Sequence, residues 1–341
     1  MGLYKDIFYV QAGVETTWGC DAAPAVKLMG VESVDIKPIR ESEHVKVLDG
    51  RLAPSKTVLR TKHGGEATVS GVLSYDDAGL WFDSLFGTLA STTYAGCTTD
   101  VAGYVRAYEA PLSCYNSDAG NPAFYTITYG ESCSSDTIAF SLISGVVKSL
   151  RITGESGAPT RFEASLIGHD VEDDALDATK VDRDVTFSMG SQWAVAIDPD
   201  SDAAGTTVVS DVGFKFELNV ETNRYLQYHL GDLTPDSYAE TEWSGTLMLT
   251  LELKTISEAY ITSLLSSTPV RKVVKLTSTG DSDHALTITF NGVLLEAPDL
   301  WTDVDGVATI ELNFEGIYGA TLANWLTVTL ENQVASNATL T

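Results

Sequence analysis

Basic residues are scarce in this chain. Lys and Arg account for 21 of its 341 residues, against 47 Asp and Glu, and the formal net charge is −26. Affinity for nucleic-acid phosphates comes from Lys and Arg, so a nucleic-acid-binding role fits poorly. Such a surface serves solubility, or keeps a protein from sticking to DNA. The excess runs through both halves: 13 basic and 23 acidic residues up to Asp174, then 8 and 24 after it. Cysteine is rare too. Cys20, Cys97, Cys114 and Cys133 form no C-x-x-C pair, which removes zinc ribbons and thioredoxin-like redox sites. Free, mostly buried thiols are expected, with a disulfide among the last three left open. No run approaches the ~20 apolar residues of a membrane span. The opening MGLYKDIFYVQAG has no basic segment ahead of an apolar one, as a secretory signal would. The expectation is a soluble, cytoplasmically made product with no membrane association.

Motifs of catalysis are missing as well. The histidines (His44, His63, His169, His229 and His284) show no metal-ligand spacing. No G-x-S-x-G elbow, Walker loop or G-x-G-x-x-G follows a strand. Asp198-Pro199-Asp200-Ser201-Asp202 resembles the start of a calcium loop, yet Ala203 and Val209 stand where Gly and Glu belong. A solvated turn is the better account. No enzyme, cofactor or metal is expected.

What the chain does have is one passage written twice. Residues 31–87 and 212–267 share an order of strand, long arm, strand and helix. Gly50, Leu52 and Pro54 fall on Gly231, Leu233 and Pro235, and Gly64 falls on Gly245. The segment Trp81 to Phe86 falls on Tyr260 to Leu265. Further on, Ser144-Gly145-Val146-Val147 matches Asn291-Gly292-Val293-Leu294, and Arg161–Gly168 matches Thr309–Gly316. Repetition over such a length sets the fold class before any single motif does.

Within each copy the strands alternate. Phe214, Phe216, Leu218 and Val220 take one face, with Lys215, Glu217, Asn219 and Glu221 on the other, as in a sheet with one dry and one wet side. Asp76 is expected to cap the helix, Asp77 to suit its positive end and Gly87 to stop it. The arms, residues 41–65 and 222–245, are too long for hairpin connections and should lie on a partner. Their charges contrast. The first carries Arg51, Lys56, Arg60 and Lys62; the second carries Asp232, Asp236, Glu240 and Glu242. Opposite charge at matching places suggests that one copy meets the other in an alternating assembly, the charges setting register and partner choice rather than affinity. The first copy has an extra Ser/Thr/Gly-rich stretch, 88–122, with a strand expected at Tyr104 to Glu109. Residues 173–185 read as an acidic linker and 329–341 as a loose tail. The division is 1–172, 173–185 and 186–341.

Glu15-Thr16-Thr17-Trp18-Gly19 resembles the opening of phage tail tube proteins. So does the order that follows: strand, Gly/Pro arm, strand, Trp81-Phe82-Asp83-Ser84-Leu85-Phe86-Gly87, then Phe124-Tyr125-Thr126-Ile127-Thr128-Tyr129-Gly130. The resemblance implies a mainly β fold: tandem β-sandwich or partial-barrel domains, each with one flanking helix and a long hairpin arm. It implies rings of six such domains around a channel, hence three molecules of a doubled chain in a pseudo-hexameric ring. The rings would stack head to tail into a tube that conducts DNA without specific binding. Its partners would be its own copies, with tape measure, tail terminator and tail-tip proteins. An acidic inner wall would repel phosphates over a Debye length of ~8 Å. Lumen candidates on wet strand faces are Glu217, Asn219, Glu311, Asn313 and Glu315. The rival readings are the inner tube of a contractile tail or injection system, and a monomeric ligand-binding β-sandwich.

Overall fold

A computed structural model describes residues 8–45, 57–87, 92–94, 103–111, 121–131, 138–209, 213–254, 260, 269–294, 300–304, 306–319 and 321–334. Gly50, Arg51, Leu52, Pro54, Lys56, Cys97, Cys114, Cys133 and, apart from Tyr260, the second expected helix lie outside the described residues.

The fold is mainly β. The first half contains β1 (Phe8–Glu15), β2 (Val26–Lys27), β3 (Val31–Val45), β4 (Thr57–Val72), α1 (Tyr75–Phe86), β5 (Thr92–Tyr94), β6 (Gly103–Glu109), β7 (Phe124–Glu131), β8 (Ile138–Glu155), β9 (Arg161–Gly168) and β10 (Asp170–Asp174). The second contains β11 (Trp193–Pro199), β12 (Gly213–Glu221), β13 (Tyr225–Gln227), β14 (Ser237–Ala239), β15 (Ser244–Glu252), β16 (Val270–Thr279), β17 (Ala285–Leu294), β18 (Leu300–Val304), β19 (Val307–Gly316) and β20 (Leu326–Asn332).

The two halves pair their strands in the same order, all antiparallel. The neighbours β3–β4–β9 correspond to β12–β15–β19, and β1–β7–β8–β10 to β11–β16–β17–β20. The register fixes residue equivalences. Gly65 opposes Gly168 on β4 and β9, and Gly245 and Gly316 take the same places on β15 and β19. The glycine matching Gly245 is therefore Gly65, one residue beyond the Gly64 expected from sequence. The match of Gly145 with Gly292 stands: Val147 pairs with Leu166, as Leu294 pairs with Phe314. Side chains repeat as well. Glu15, at the end of β1, accepts from the Ser144 backbone at 2.6 Å. Asp200, just after β11, accepts from Asn291 Nδ2 at 3.0 Å.

β8 turns from one sheet to the other at Ser144, whose φ is +51°. Its first part pairs with β7 and β10; its second part pairs with β9 and with β12 of the second half. The halves thus share one sheet. They also exchange strands, since the extra stretch of the first half supplies β6, which pairs with β20. One apolar cluster, from Val10 to Leu330, runs through both.

Helix α1 is buried along its whole length. Its N-cap is Ser74, whose hydroxyl accepts from the backbone of Asp76 (3.1 Å) and Asp77 (3.4 Å). Ser74 displaces Asp76 from the expected capping role because it has the extended backbone a cap requires. Asp76 and Asp77 occupy the first turn, and Gly87, at φ +109°, ends the helix.

Four further expectations are corrected. β10 runs to Asp174, so the acidic linker begins inside a strand. Beyond it the segment is tied down: Gln11 Nε2 donates to Asp177 O at 2.8 Å, and Arg183 pairs with Asp77. The expected tail at 329–341 begins inside β20, where Leu326, Val328 and Leu330 alternate inward. The expected solvated turn at 198–202 holds for Pro199, Ser201 and Asp202, which are exposed, but not for Asp198. It is fully buried, and its carboxylate accepts from the backbone of Gly205, Thr206 and Thr207 and from the Thr206 hydroxyl. Burial works to raise its pKa, but those hydrogen bonds win and hold it at about 2. Cys20 is an exposed free thiol rather than a buried one.

Candidate assembly surfaces

The shared sheet presents one continuous polar face. Seven strands lie side by side in the order β19, β15, β12, β8, β9, β4, β3. Glu315, Thr246, Asn219, Arg151, Glu163, Ser70 and Ser33 oppose one another in sequence, making one transverse row across both halves. The next row on that face is Asn313, Met248, Glu217, Thr153 and Arg161, and the next begins Glu311, Thr250, Lys215 and Glu155. Because side chains alternate along a strand, the rows between point inward. Phe314, Leu247, Leu218, Ile152 and Phe162 are all buried there.

All five wet-face candidates, Glu217, Asn219, Glu311, Asn313 and Glu315, fall on this face. Acids outnumber bases on it. Arg151 is drawn to Glu217 at 2.8 Å, and hydrogen bonding to Glu217 raises the Arg151 pKa. Arg161 is paired with Glu32.

The arms differ. The first continues β3 and β4 past a register shift between Glu41 and Ser42, paired as far as Val45 opposite Thr57. Ser42, Glu43, His44, Val58, Leu59 and Arg60 on it are exposed. The second leaves its sheet at Glu221, turns at Asn223 (φ +51°) and lies back on the first half as the short ribbon β13–β14. Its contacts there are specific. The Leu233 carbonyl accepts from His63 N at 2.7 Å, and Tyr228 OH donates to His63 O at 2.8 Å. Trp18 Nε1 donates to Pro235 O at 2.9 Å, and Tyr238 packs against both Trp18 and Phe124 with ring centroids 5.6 and 5.9 Å away. Trp18, from the Glu-Thr-Thr-Trp-Gly segment, is thus part of the bed for this arm.

At the arm's root lies Arg224, which is 1% exposed. Its guanidinium donates to the carbonyls of Ser84 (2.8 Å), Leu85 (2.8 Å) and Val147 (2.7 Å), and to Glu240 at 3.1 Å. Ser84 and Leu85 close α1, where orphan carbonyls and the negative end of the dipole favour a cation. The other end of α1 is held from the second half too. His284, itself buried, contacts Asp76 at 3.2 Å and Asp281 at 2.9 Å. Burial works to lower its pKa, but these two carboxylates lift it to about 9. Tyr75 OH shares a 2.6 Å hydrogen bond with Ser278, and Asn332 Nδ2 donates to Tyr75 O at 2.9 Å.

Of the arm candidates, Lys62 lies 3.3 Å from Glu41 on its own hairpin and over the Tyr228 ring. Glu240 is engaged by Arg224 and Asp236 by His229. Arg60, Asp232 and Glu242 are solvent-facing. Arg51 and Lys56 lie outside the described residues. The residues missed from sequence are Arg224 and His284. Arg224 carried a signal: it is the lone basic residue in an acidic arm.

The chain presents a broad polar sheet face and two arms, and its halves are interlocked through β8–β12 and β6–β20. The model of the phage tail tube protein family matches residues 9–316, and the chain belongs to that family. It is a structural component of the phage tail. No curated protein matches the chain.

Proposed function

We propose that the chain is a doubled tail tube protein, its first tube domain ending with β10 at Asp174 and its second running from 186 to 341. Three copies close a pseudo-hexameric ring, and the rings stack head to tail into a tube for DNA. The observation that carries this is the unbroken polar face crossing from one half to the other. Two halves joined edge to edge through β8 and β12 form one third of a continuous wall, and further copies extend it by the same operation. A heterologous contact of that kind closes into rings or propagates as a filament. The polar face lines the bore, with Glu217, Asn219, Glu311, Asn313 and Glu315 among the wall residues. Its acidic excess keeps phosphates from adhering. The tube meets tape measure, terminator and tip proteins at its ends.

The test is direct. Purified protein should sediment as trimers or larger species, and electron micrographs should show tubes with threefold rings of six similar lobes. A monomer at high concentration, without tubes, would sink the reading.

A further inference from the structure

Strands β10 and β20 hold equivalent places, yet they differ in their neighbours. β20 lies between β17 and β6, whereas β10 is paired with β8 alone among the described residues. Register relates the two strands residue by residue. Ala12 and Ile197 lie at the same distance before Glu15 and Asp200. Ala12 opposes Ile127 and Ile127 opposes Leu142, as Ile197 opposes Val274 and Val274 opposes Phe290. Leu142 then pairs with Val171, and Phe290 with Leu326. β8 carries one extra residue in its bulge between Leu142 and Gly145, so this match sits one position off the match of Gly145 with Gly292. Val171, Glu172 and Asp173 therefore stand where β20 has Leu326, Thr327 and Val328.

The edge of β20 takes a strand; that of β10 is filled by side chains. The Leu326 carbonyl accepts from Ala110 N, just past the end of β6, at 3.0 Å. The Val171 carbonyl accepts instead from Arg40 Nη2 at 3.2 Å, and the Val171 N–H donates to the Asp170 carboxylate at 2.7 Å. Arg40 and Asp170 are themselves paired at 2.6 Å. Further along, Val328 is buried and opposes Tyr108 of β6. Its counterpart Asp173 is exposed and opposes Phe140 of β8, which is 47% accessible. Unpaired strand edges attract strands of any origin, and one added here would cover the Phe140 ring. It would also set a tyrosine against Asp173 and leave an ionised carboxylate away from water, which is costly. We propose that Arg40, Asp170 and Asp173 guard the β10 edge against the β6 strand of a second copy, so that β6 joins β20 of its own chain. A chain whose halves repeat needs such a guard, because β6 fits two equivalent edges in register. The selection operates in a single chain and does not depend on ring formation.

The test uses full-length protein with Cys20→Ser and Glu172→Cys, and a synthetic peptide of residues 103–110 with cysteine in place of Glu109. Glu109 opposes Thr327, the counterpart of Glu172, and directly opposed residues on neighbouring strands are close enough for a disulfide. Protein without Glu172→Cys gives the background. Guarded protein should form no more mixed disulfide with this peptide than with a scrambled one. Adding Asp170→Ala and Asp173→Val, which free the Val171 N–H and restore an apolar side chain, should raise the yield roughly tenfold. Circular dichroism and the unfolding midpoint check that each protein is folded. Should the double change unfold the chain, Asp173→Val alone, at an exposed position, decides the matter with an expected rise of about threefold. Equal capture by guarded and unguarded protein, whether high or low, overturns the proposed guard.

Discussion

The two arms start from the same place in corresponding hairpins and end differently. The first continues its strands outward for several residues on each side; the second breaks away after Glu221 and is folded onto the first half. The difference traces to one position. Ser42 on the first arm matches Arg224 on the second, since Ser42 pairs with Arg60 as Arg224 meets Glu240. A serine makes no claim on a distant helix. An arginine reaches four acceptors at once, and in doing so anchors the arm's root under α1. Asn223 makes the bend possible, because Asn tolerates a left-handed backbone better than most residues. An arm's course is therefore set less by its own propensity than by whether a residue at its root has somewhere buried to go.

The largest expected effect comes from making the second arm like the first. Arg224→Ser leaves the carbonyls of Ser84, Leu85 and Val147 and the carboxylate of Glu240 without their donor. Breaking a buried, hydrogen-bonded charge typically costs about 3–5 kcal/mol, and denaturant unfolding should show a loss of that size. The arm should also become sensitive to limited proteolysis between residues 222 and 243. Arg224→Lys should rescue little, since one ammonium cannot reproduce the planar fork. If the serine variant unfolds at the same denaturant concentration as the parent, Arg224 is not what folds the arm back.

The opposite end of α1 predicts a pH dependence. His284 has its pKa lifted from an ordinary 6.5 to about 9 by Asp76 and Asp281. A raised pKa means the folded state holds the proton more tightly than the unfolded chain. The stabilisation is complete below about pH 6.5 and is lost as pH rises through about 9. The expected loss is roughly 2–3 kcal/mol, read as a falling unfolding midpoint between those limits. His284→Gln should be less stable at pH 6 and flat over the same interval. A parent protein with no slope there would remove the charged contact. Since His284 and Arg224 both come from the second half, these two variants together ask whether α1 is the clasp between halves.

The comparison of halves was open to sequence reasoning wherever it depended on local pattern. Period-two alternation in Phe214 to Glu221 located β12 and its faces, and the repeated order of turn residues located the arms. The same reasoning missed by one residue at Gly64 because flanking glycines give no side chain to tell one register from the next. It misassigned the helix cap because Ser74 and Asp76 are both good caps, and only the backbone decides. It took the end of the chain for a tail although Leu326, Val328 and Leu330 alternate like any strand. The arm's return and the buried roles of Arg224, Asp198 and His284 were out of reach for a different reason. Arg224 and His284 depend on partners far away in sequence, such as the carbonyl of Ser84, 140 residues from Arg224, and Asp198 on how the chain folds back over it at Gly205 to Thr207.

The smallest effect on folding is expected on the polar face that the two halves share. Glu217 on β12 and Glu311 and Glu315 on β19 lie on one face, with β15 between the two strands, outside the core. The Glu217–Arg151 pair is an exposed contact of the kind that contributes at most about 1 kcal/mol. Replacing all three acids by Lys should therefore shift stability by only about 1–2 kcal/mol, far less than Arg224→Ser. The consequence should appear instead in what the assembled face does. Tubes of the parent protein should leave double-stranded DNA unbound at low salt. Tubes of the triple variant should retain it, and release it as salt rises, because new phosphate contacts exchange with counterions. Equal indifference to DNA in both, with tubes formed in each case, would place these residues away from the bore and turn the proposed wall inside out.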